Sequence, residues 1–278
     1  MPYEMELQTA LEAVRRAGKI VLDYYSTFTA IPDARADIST QADRDSQEII
    51  LRHIRQIFPS DSLCAEENTP TLESATHSGT RLWIVDPIDG TRGFARKNGE
   101  FSVMVAFVDS GQIRVGAVLE PVTRRLTYAI KGGGCWRLDQ DYPDPIACSV
   151  RTTENLAQAV LTQSHSGKPG RQLSLAQALN PGKVIETYSA GIKLAQVARG
   201  EADLYLNTYL HFHDWDICAG QILVEEAGGI VTGLAGEPIR YGVDQAGQRS
   251  GLLASNGRLQ QTALEVISKA AKSHQIGI

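Results

Sequence analysis

Residues 82–91 read Leu-Trp-Ile-Val-Asp-Pro-Ile-Asp-Gly-Thr, an unbroken apolar run that ends on two aspartates three residues apart. A run without polar alternation belongs to a strand covered on both faces, and such a strand requires layers above and below its sheet. Open α/β sheets place ligands just outside the carboxyl ends of their strands, where these aspartates fall. Pro87 fixes its own φ and pushes Asp86 to extended geometry, so the turn is stiff. Gly90 permits close backbone approach, and the N–H groups that follow can face an anion. In isolation an Asp-x-x-Asp-Gly is more often a polar turn than a site. The rest of the chain decides between the two.

The pattern around this run predicts two long helices first. Leu7, Leu11, Val14, Ala17, Val21 and Tyr25 recur at spacings of three and four, and a second helix starts near Ser39-Thr40 and stops at Pro59. After the apolar run, stretches 101–108, 113–119 and 126–130 are separated by short turn segments, which predicts antiparallel hairpins. Beyond about residue 150, strands near 159–162, 184–187, 203–206, 230–232 and 252–254 alternate with helical stretches near 173–179, 192–198, 216–227 and 259–271. That alternation predicts a layered α/β second half. The expected division is an N-terminal α+β subdomain, 1–150, and a C-terminal α/β subdomain, 151–278.

Composition narrows the function classes. The net charge of −5, from 27 basic and 32 acidic residues, gives no electrostatic footprint for duplex nucleic acid or an anionic membrane. No apolar run approaches the ~18 residues of a spanning helix, and the acidic amino terminus lacks the form of a signal peptide. The four cysteines show no C-x-x-C spacing, which suits a reducing compartment and a cytoplasmic location.

Two further acidic segments bear on the first. Leu63-Cys64-Ala65-Glu66-Glu67 ends a short apolar stretch on paired carboxylates, and Trp215-Asp216-Ile217-Cys218-Ala219-Gly220 opens an apolar helix on an aspartate. Taken singly, the first is a solvated turn and the second an N-cap. If Glu66, Asp86, Asp89 and Asp216 converge, repulsion of ~4 kcal/mol for each pair about 4 Å apart requires cations or raised pKa values. Oxygen-only donors select a hard ion, Mg²⁺ or Mn²⁺, rather than Zn²⁺. Two such ions can clamp a phosphoryl group and activate water. The alternation in His211-Phe212-His213-Asp214 has no companion ligands at zinc spacing and reads as a flanking loop.

These segments, in this order and spacing, resemble the three signatures of the inositol monophosphatase superfamily of Mg²⁺-dependent, Li⁺-sensitive phosphatases. The resemblance implies a layered αβαβα sandwich of two subdomains and a phosphoric monoester hydrolase with two or three Mg²⁺ ions. Glu66, Asp86 and the Ile88 carbonyl would hold the first metal, and Asp86, Asp89 and Asp216 the second. Thr40-Gln41-Ala42-Asp43 is similar to the segment whose aspartate binds the signature threonine, here Thr91. That pair, with Glu66, would orient the attacking water. A threonine hydroxyl is a weak base and needs a carboxylate to take its proton while it accepts one from water. The Gly90 and Thr91 N–H groups would bind phosphate.

Within the superfamily, Arg92-Gly93-Phe94-Ala95-Arg96, Gly99-Glu100-Phe101, Ser164-His165-Ser166 and Lys193 resemble the 3'(2'),5'-bisphosphate nucleotidases. The resemblance implies removal of the 3'-phosphate of adenosine 3',5'-bisphosphate, with Ser164, His165 and Lys193 contacting the nucleotide. Asn207 departs from an arginine usual in that branch. The alternatives are inositol monophosphate, histidinol phosphate or a sugar (bis)phosphate as substrate, or a non-catalytic ligand-binding protein. The expected partner is a small phosphate ester, with neither nucleic acid nor membrane.

Overall fold

The structure, a computed structural model, describes residues 2–35, 38–75, 79–165, 171–209, 212–242 and 246–273. Ser166 and His211, singled out above, lie outside them. Five layers succeed one another. Helices α1 (Glu4–Thr27) and α2 (Gln41–Ile57) cover one face of a seven-stranded sheet, their apolar stripes meeting Trp83, Val85, Phe101 and Phe107 in one core. The strands are β1 (Ser62–Ala65), β2 (Arg81–Asp89), β3 (Ser102–Asp109), β4 (Gln112–Glu120), β5 (Arg125–Ile130), β6 (Gly134–Asp139) and β7 (Tyr142–Ala147), in that spatial order. Only β1 and β2 are parallel, and the remaining neighbours are antiparallel. Short helices α3 (Pro70–Glu73) and α4 (Thr91–Ala95) flank β2 in the chain. The β3–β4 turn holds both Ser110 and Gly111 at positive φ, as a two-residue hairpin matched to strand twist demands.

The second sheet uses β8 (Val160–Gln163), β9 (Lys183–Glu186), β10 (Leu204–Asn207), β12 (Ile230–Thr232) and β14 (Leu252–Ser255), in the order β12-β14-β10-β8-β9. Strands β8, β9 and β10 are parallel, joined by α5 (Arg171–Leu179) and α6 (Ala190–Ala198), whereas β14 and β12 run antiparallel. Between the sheets lie α6 and α7 (Asp214–Glu226), whose Leu194, Ile217, Ile222 and Val224 are buried with Met104, Ala106 and Val118 of the first sheet. Helices α5 and α8 (Gln260–Ser273) close the outer face of the second sheet. A two-stranded ladder, β11 (Phe212–His213) with β13 (Gly247–Gln248), braces the start of α7. The αβαβα expectation is met. Among the described residues no helix is long and apolar enough to cross a membrane.

The middle layer is thin because glycine makes it so. A Cβ on Gly116 of β4 would lie 2.5 Å from the Ala219 carbonyl oxygen and 2.5 Å from Ile222 Cγ2. Helix α7 therefore rests directly on the sheet, and Asp216 in its first turn is delivered to the end of β2.

Candidate active site

The pairing of β2 with β3 sets the two aspartates. Asp86 lies opposite Met104 and Asp89 opposite Ser102, so three steps on β2 match two on β3. In a regular strand, residues three apart point to opposite faces. The extra residue of this bulge returns both carboxylates to one face. The strand does not stop before the aspartates, as the apolar run suggested. It carries them inside the bulge, and Ser46 of α2 clamps it with a 3.1 Å hydrogen bond to the Pro87 carbonyl.

Asp216 joins them from α7. One oxygen each from Asp86, Asp89 and Asp216 lie within 4.8 Å of one another. Asp216 is oriented by a 2.6 Å hydrogen bond from the His213 N–H. Asp89 accepts from the Gly191 N–H at 2.7 Å, from Ser102 Oγ at 3.3 Å and from Ser189 Oγ, which caps α6. Asp86 is buried, and its Oδ1 has no hydrogen-bond partner. Glu66 stands at the open rim. The turn that carries it is fixed by the Glu67 N–H donating to Gln47 Oε1 at 2.8 Å and by Ser39 Oγ donating to Glu67 at 2.6 Å.

The charges do not suit one another without a counter-ion. Burial, followed by the charges of Glu66, Asp89 and Asp216, raises Asp86 well above the usual carboxylate range. Asp216 is pushed up to about 7, first by loss of solvent. Glu66 is pushed up to about 8 by the protein crowding its carboxyl and then by Asp216, Asp43, Glu67 and Asp89. Its residue surface stays exposed, so water relieves part of that rise. An orphaned buried carboxylate oxygen amid other carboxylates, with no thiolate or imidazole in the group, fits a hard divalent cation.

Beside this cluster, Thr91 Oγ1 lies 3.1 Å from Asp43 Oδ1 and 3.0 Å from the Ile88 carbonyl oxygen. Asp43 is also the third residue of α2, and its Oδ2 accepts from the Thr40 N–H at 2.8 Å and Thr40 Oγ1 at 2.6 Å. Burial raises Asp43 to about 6 against the lowering pull of those hydrogen bonds. Gly90 has φ +86°, and a Cβ there would come within 2.7 Å of the Glu100 carbonyl oxygen and 3.1 Å of the Ser189 N.

The residues expected to contact substrate, Ser164, His165 and Lys193, lie in one hydrogen-bonded region, each already engaged by the protein. Lys193 is fully buried, and its Nζ donates to Ser164 Oγ at 3.1 Å, the Thr187 carbonyl at 2.9 Å and the Tyr188 carbonyl at 3.1 Å. Those bonds match the three hydrogens of an ammonium. Burial lowers it to about 8, although Asp89 and Glu100 favour its charge. In place of the expected ligand-contacting lysine, the structure shows a buried brace of Ser164 and the 187–188 backbone. His165 Nε2 lies 2.7 Å from Glu100 Oε2, which also accepts from the Tyr188 N–H at 3.1 Å. The His165 and Tyr188 rings are 4.4 Å apart, and the Arg92 guanidinium lies 5.1 Å from the Tyr188 ring. Asn207 Oδ1 accepts from the Tyr209 N–H at 2.9 Å and closes its own turn. Sequence reasoning assigned no role to Gln47, Ser102, Tyr188 or Ser189. Only Ser189, a serine directly before an apolar helical pattern, carried a visible signal, that of an N-cap.

A five-layer αβαβα fold in which two buried carboxylates of β2 meet a half-buried one of α7 has the donor set of a metal-dependent hydrolase. The chain belongs to the inositol monophosphatase family, which it matches over residues 3–275. Members are metal-dependent phosphatases, typically of Mg²⁺, and this protein is a phosphoric monoester hydrolase. It is 26% identical over 279 residues to the fructose-1,6-bisphosphatase/inositol-1-monophosphatase of Thermotoga maritima, covering 96% of this chain and 97% of that one. It is 30% identical over 245 residues to the 3'(2'),5'-bisphosphate nucleotidase CysQ of Escherichia coli, covering 84% and 93%. Among solved structures, the inositol monophosphatase from Anabaena superposes with a TM-score of 0.78 at 27% identity, covering 97% of each chain.

Proposed function

We propose that this phosphatase removes the 3'-phosphate of adenosine 3',5'-bisphosphate. The observation that carries the reading is the ring pair of His165 and Tyr188, held by Glu100 and braced by Lys193. Gly90, in contact with the backbone of Glu100 and Ser189, joins that platform to the phosphate cradle. Flat rings beside a guanidinium suit a base and a second phosphate better than a polyol. The relationship to CysQ supports the same choice.

In this reading Glu66, Asp86, the Ile88 carbonyl, Asp89 and Asp216 hold the Mg²⁺ ions, with Mn²⁺ as a substitute and Li⁺ as an inhibitor. Cations held there supply Lewis acidity toward phosphate and water. The Thr91 hydroxyl donates to Asp43 and turns a lone pair toward the attacking water, which Glu66 also orients. The Gly90 and Thr91 N–H groups receive phosphate oxygens. Ser164 and His165 face the nucleotide, and Lys193 positions Ser164 and the 187–188 backbone. The reading includes a cytoplasmic protein with a subdomain boundary near residue 150, Asp216 reaching the site from the second half.

The test compares catalytic efficiency with Mg²⁺ on adenosine 3',5'-bisphosphate, inositol 1-phosphate, histidinol phosphate and fructose 1,6-bisphosphate. The nucleotide is expected to lead, and His165→Ala is expected to reduce its kcat/KM at least tenfold while sparing inositol 1-phosphate. A better rate on any of the other three overturns the substrate assignment and leaves the phosphatase chemistry standing.

A further inference from the structure

Remote from the carboxylates, a cavity of about 470 Å³ opens between α1 and the β4–β5–β6 end of the first sheet. Its volume falls within the ~300–1,000 Å³ of small-molecule sites. The floor is apolar, formed by Leu22 of α1 with Leu119, Leu126 and Leu138 of the sheet. Arg15, Lys19 and Arg124 stand at its rim, exposed, and none makes an ion pair among the described residues. The acidic groups there are Asp23 and Asp139, and Asp139 is engaged by Arg125 at 2.8 Å and Arg137 at 3.2 Å.

Packing and turn geometry shape this cavity. Gly18 sits in the middle of α1, where alanine would favour the helix, and a Cβ there would lie 2.4 Å from Leu119 Cδ2. A glycine thus keeps the wall thin. Arg124 holds φ +53° as the last residue of the β4–β5 hairpin turn, the left-handed geometry Ser110 adopts in the β3–β4 turn, and that turn presents its side chain at the cavity rim. Beyond the cavity, Tyr25, one turn after Leu22, packs its ring 5.4 Å from Phe94 and 5.0 Å from Phe101. Phe94 belongs to α4, whose first residue is Thr91.

We propose that this cavity is an effector site for a small organic anion with an apolar body. The leucine floor takes the body, and the unpaired cations take its sulfonate or carboxylate, whereas inorganic phosphate has no apolar body for the floor to hold. Contact through Tyr25 and Phe94 links occupancy to the position of Thr91.

The probe is 8-anilinonaphthalene-1-sulfonate, titrated by fluorescence against the full chain with Mg²⁺ and saturating inorganic phosphate, so that the catalytic cleft is occupied. One saturable site per chain is expected, weakened at least tenfold in Arg15→Glu/Lys19→Glu. The control Arg44→Glu/Arg52→Glu, exposed on α2, should bind as the wild type does. The probe should also change kcat or KM for p-nitrophenyl phosphate at least twofold, and not in the Arg15/Lys19 variant. Displacement by phosphate, equal affinity in that variant, or binding without effect on turnover overturns the proposal. So does a dimer by sedimentation that the same variant dissociates, which would make the groove an interface between copies.

Discussion

Thr91 has one hydroxyl proton and two acceptors for it, Asp43 and the Ile88 carbonyl. Thr91→Ala should cut kcat by about 10²–10⁴-fold while phosphate still binds, because the backbone donors remain. The sequence treats Asp43 as the partner of Thr91, but the structure gives it a second duty in the capping box of α2. Asp43→Asn keeps one acceptor for Thr40 and removes a charge that burial disfavours, so it should lose turnover with little loss of stability, whereas Asp43→Ala should lose both turnover and about 1 kcal/mol at pH 6, as cap losses do. In the double-mutant cycle, the losses in kcat should be non-additive while the stability loss stays with Asp43 alone. Equal melting temperatures for Thr91→Ala and Asp43→Ala at pH 6 would refute the dual role. Asp89 is a similar case. Removing its charge relieves carboxylate repulsion, but it also strips a counter-charge from fully buried Lys193 and alters the acceptor for Ser189 and Gly191. Asp89→Asn should abolish Mg²⁺-dependent turnover and lower stability by about 1–3 kcal/mol without metal, as losing a buried partner does. An apo variant more stable than apo wild type in urea would show that repulsion dominates.

At the scale of elements, the site depends on how closely α7 approaches the first sheet. Gly116→Ala must push against the Ala219 backbone and Ile222. Overpacking of that kind typically costs ~1–3 kcal/mol, and it should displace the first turn of α7, so turnover should fall further than global stability explains. Unchanged Mg²⁺ affinity and kcat in a fully folded Gly116→Ala chain would separate the glycine contact from the site. The elements that the sequence disclosed are those whose own residues carry the period: the stripe from Leu7 to Tyr25, the unbroken apolar run at 82–85, and the hairpin turn at Ser110-Gly111. Strand β7 was not legible, because Pro143 and Pro145 argue against a strand and are tolerated only at an edge, where β7 lies. The bulge in β2 was also hidden, since it exists only in the register with β3. Likewise, Asp216 announces a helix start from its own neighbours. Its meeting with Asp86 and Asp89 is a product of the whole middle layer.

For the whole molecule, the carboxylate cluster makes stability depend on pH in a direction opposite to that of a salt-bridged surface. Asp43 at about 6, Asp216 at about 7 and Glu66 at about 8 all exceed their values in an unfolded chain, near 4. Between pH ~4 and ~7 these carboxyls therefore bind more protons in the folded state than in the unfolded one and lower stability as pH rises, outweighing the opposite contributions of His53 and Lys193, whose burial lowers their pKa values. Metal-free protein in chelator should accordingly melt at a higher temperature at pH 6 than at pH 8. Cations bind the ionised carboxylates, so Mg²⁺ competes with protons and its affinity rises with pH. Excess Mg²⁺ should then flatten or reverse the slope, with the largest stabilisation at pH 8, where a ligand at 100 times its Kd adds ~2.7 kcal/mol. Turnover should follow the opposite limb from apo stability, falling as pH drops below about 6, because a protonated Asp43 no longer accepts the Thr91 proton. Calorimetry at pH 6, 7 and 8, with chelator and with Mg²⁺, checks both slopes. A metal-free chain that gains stability from pH 6 to pH 8 would mean that the carboxylates ionise without strain and have no need of a cation.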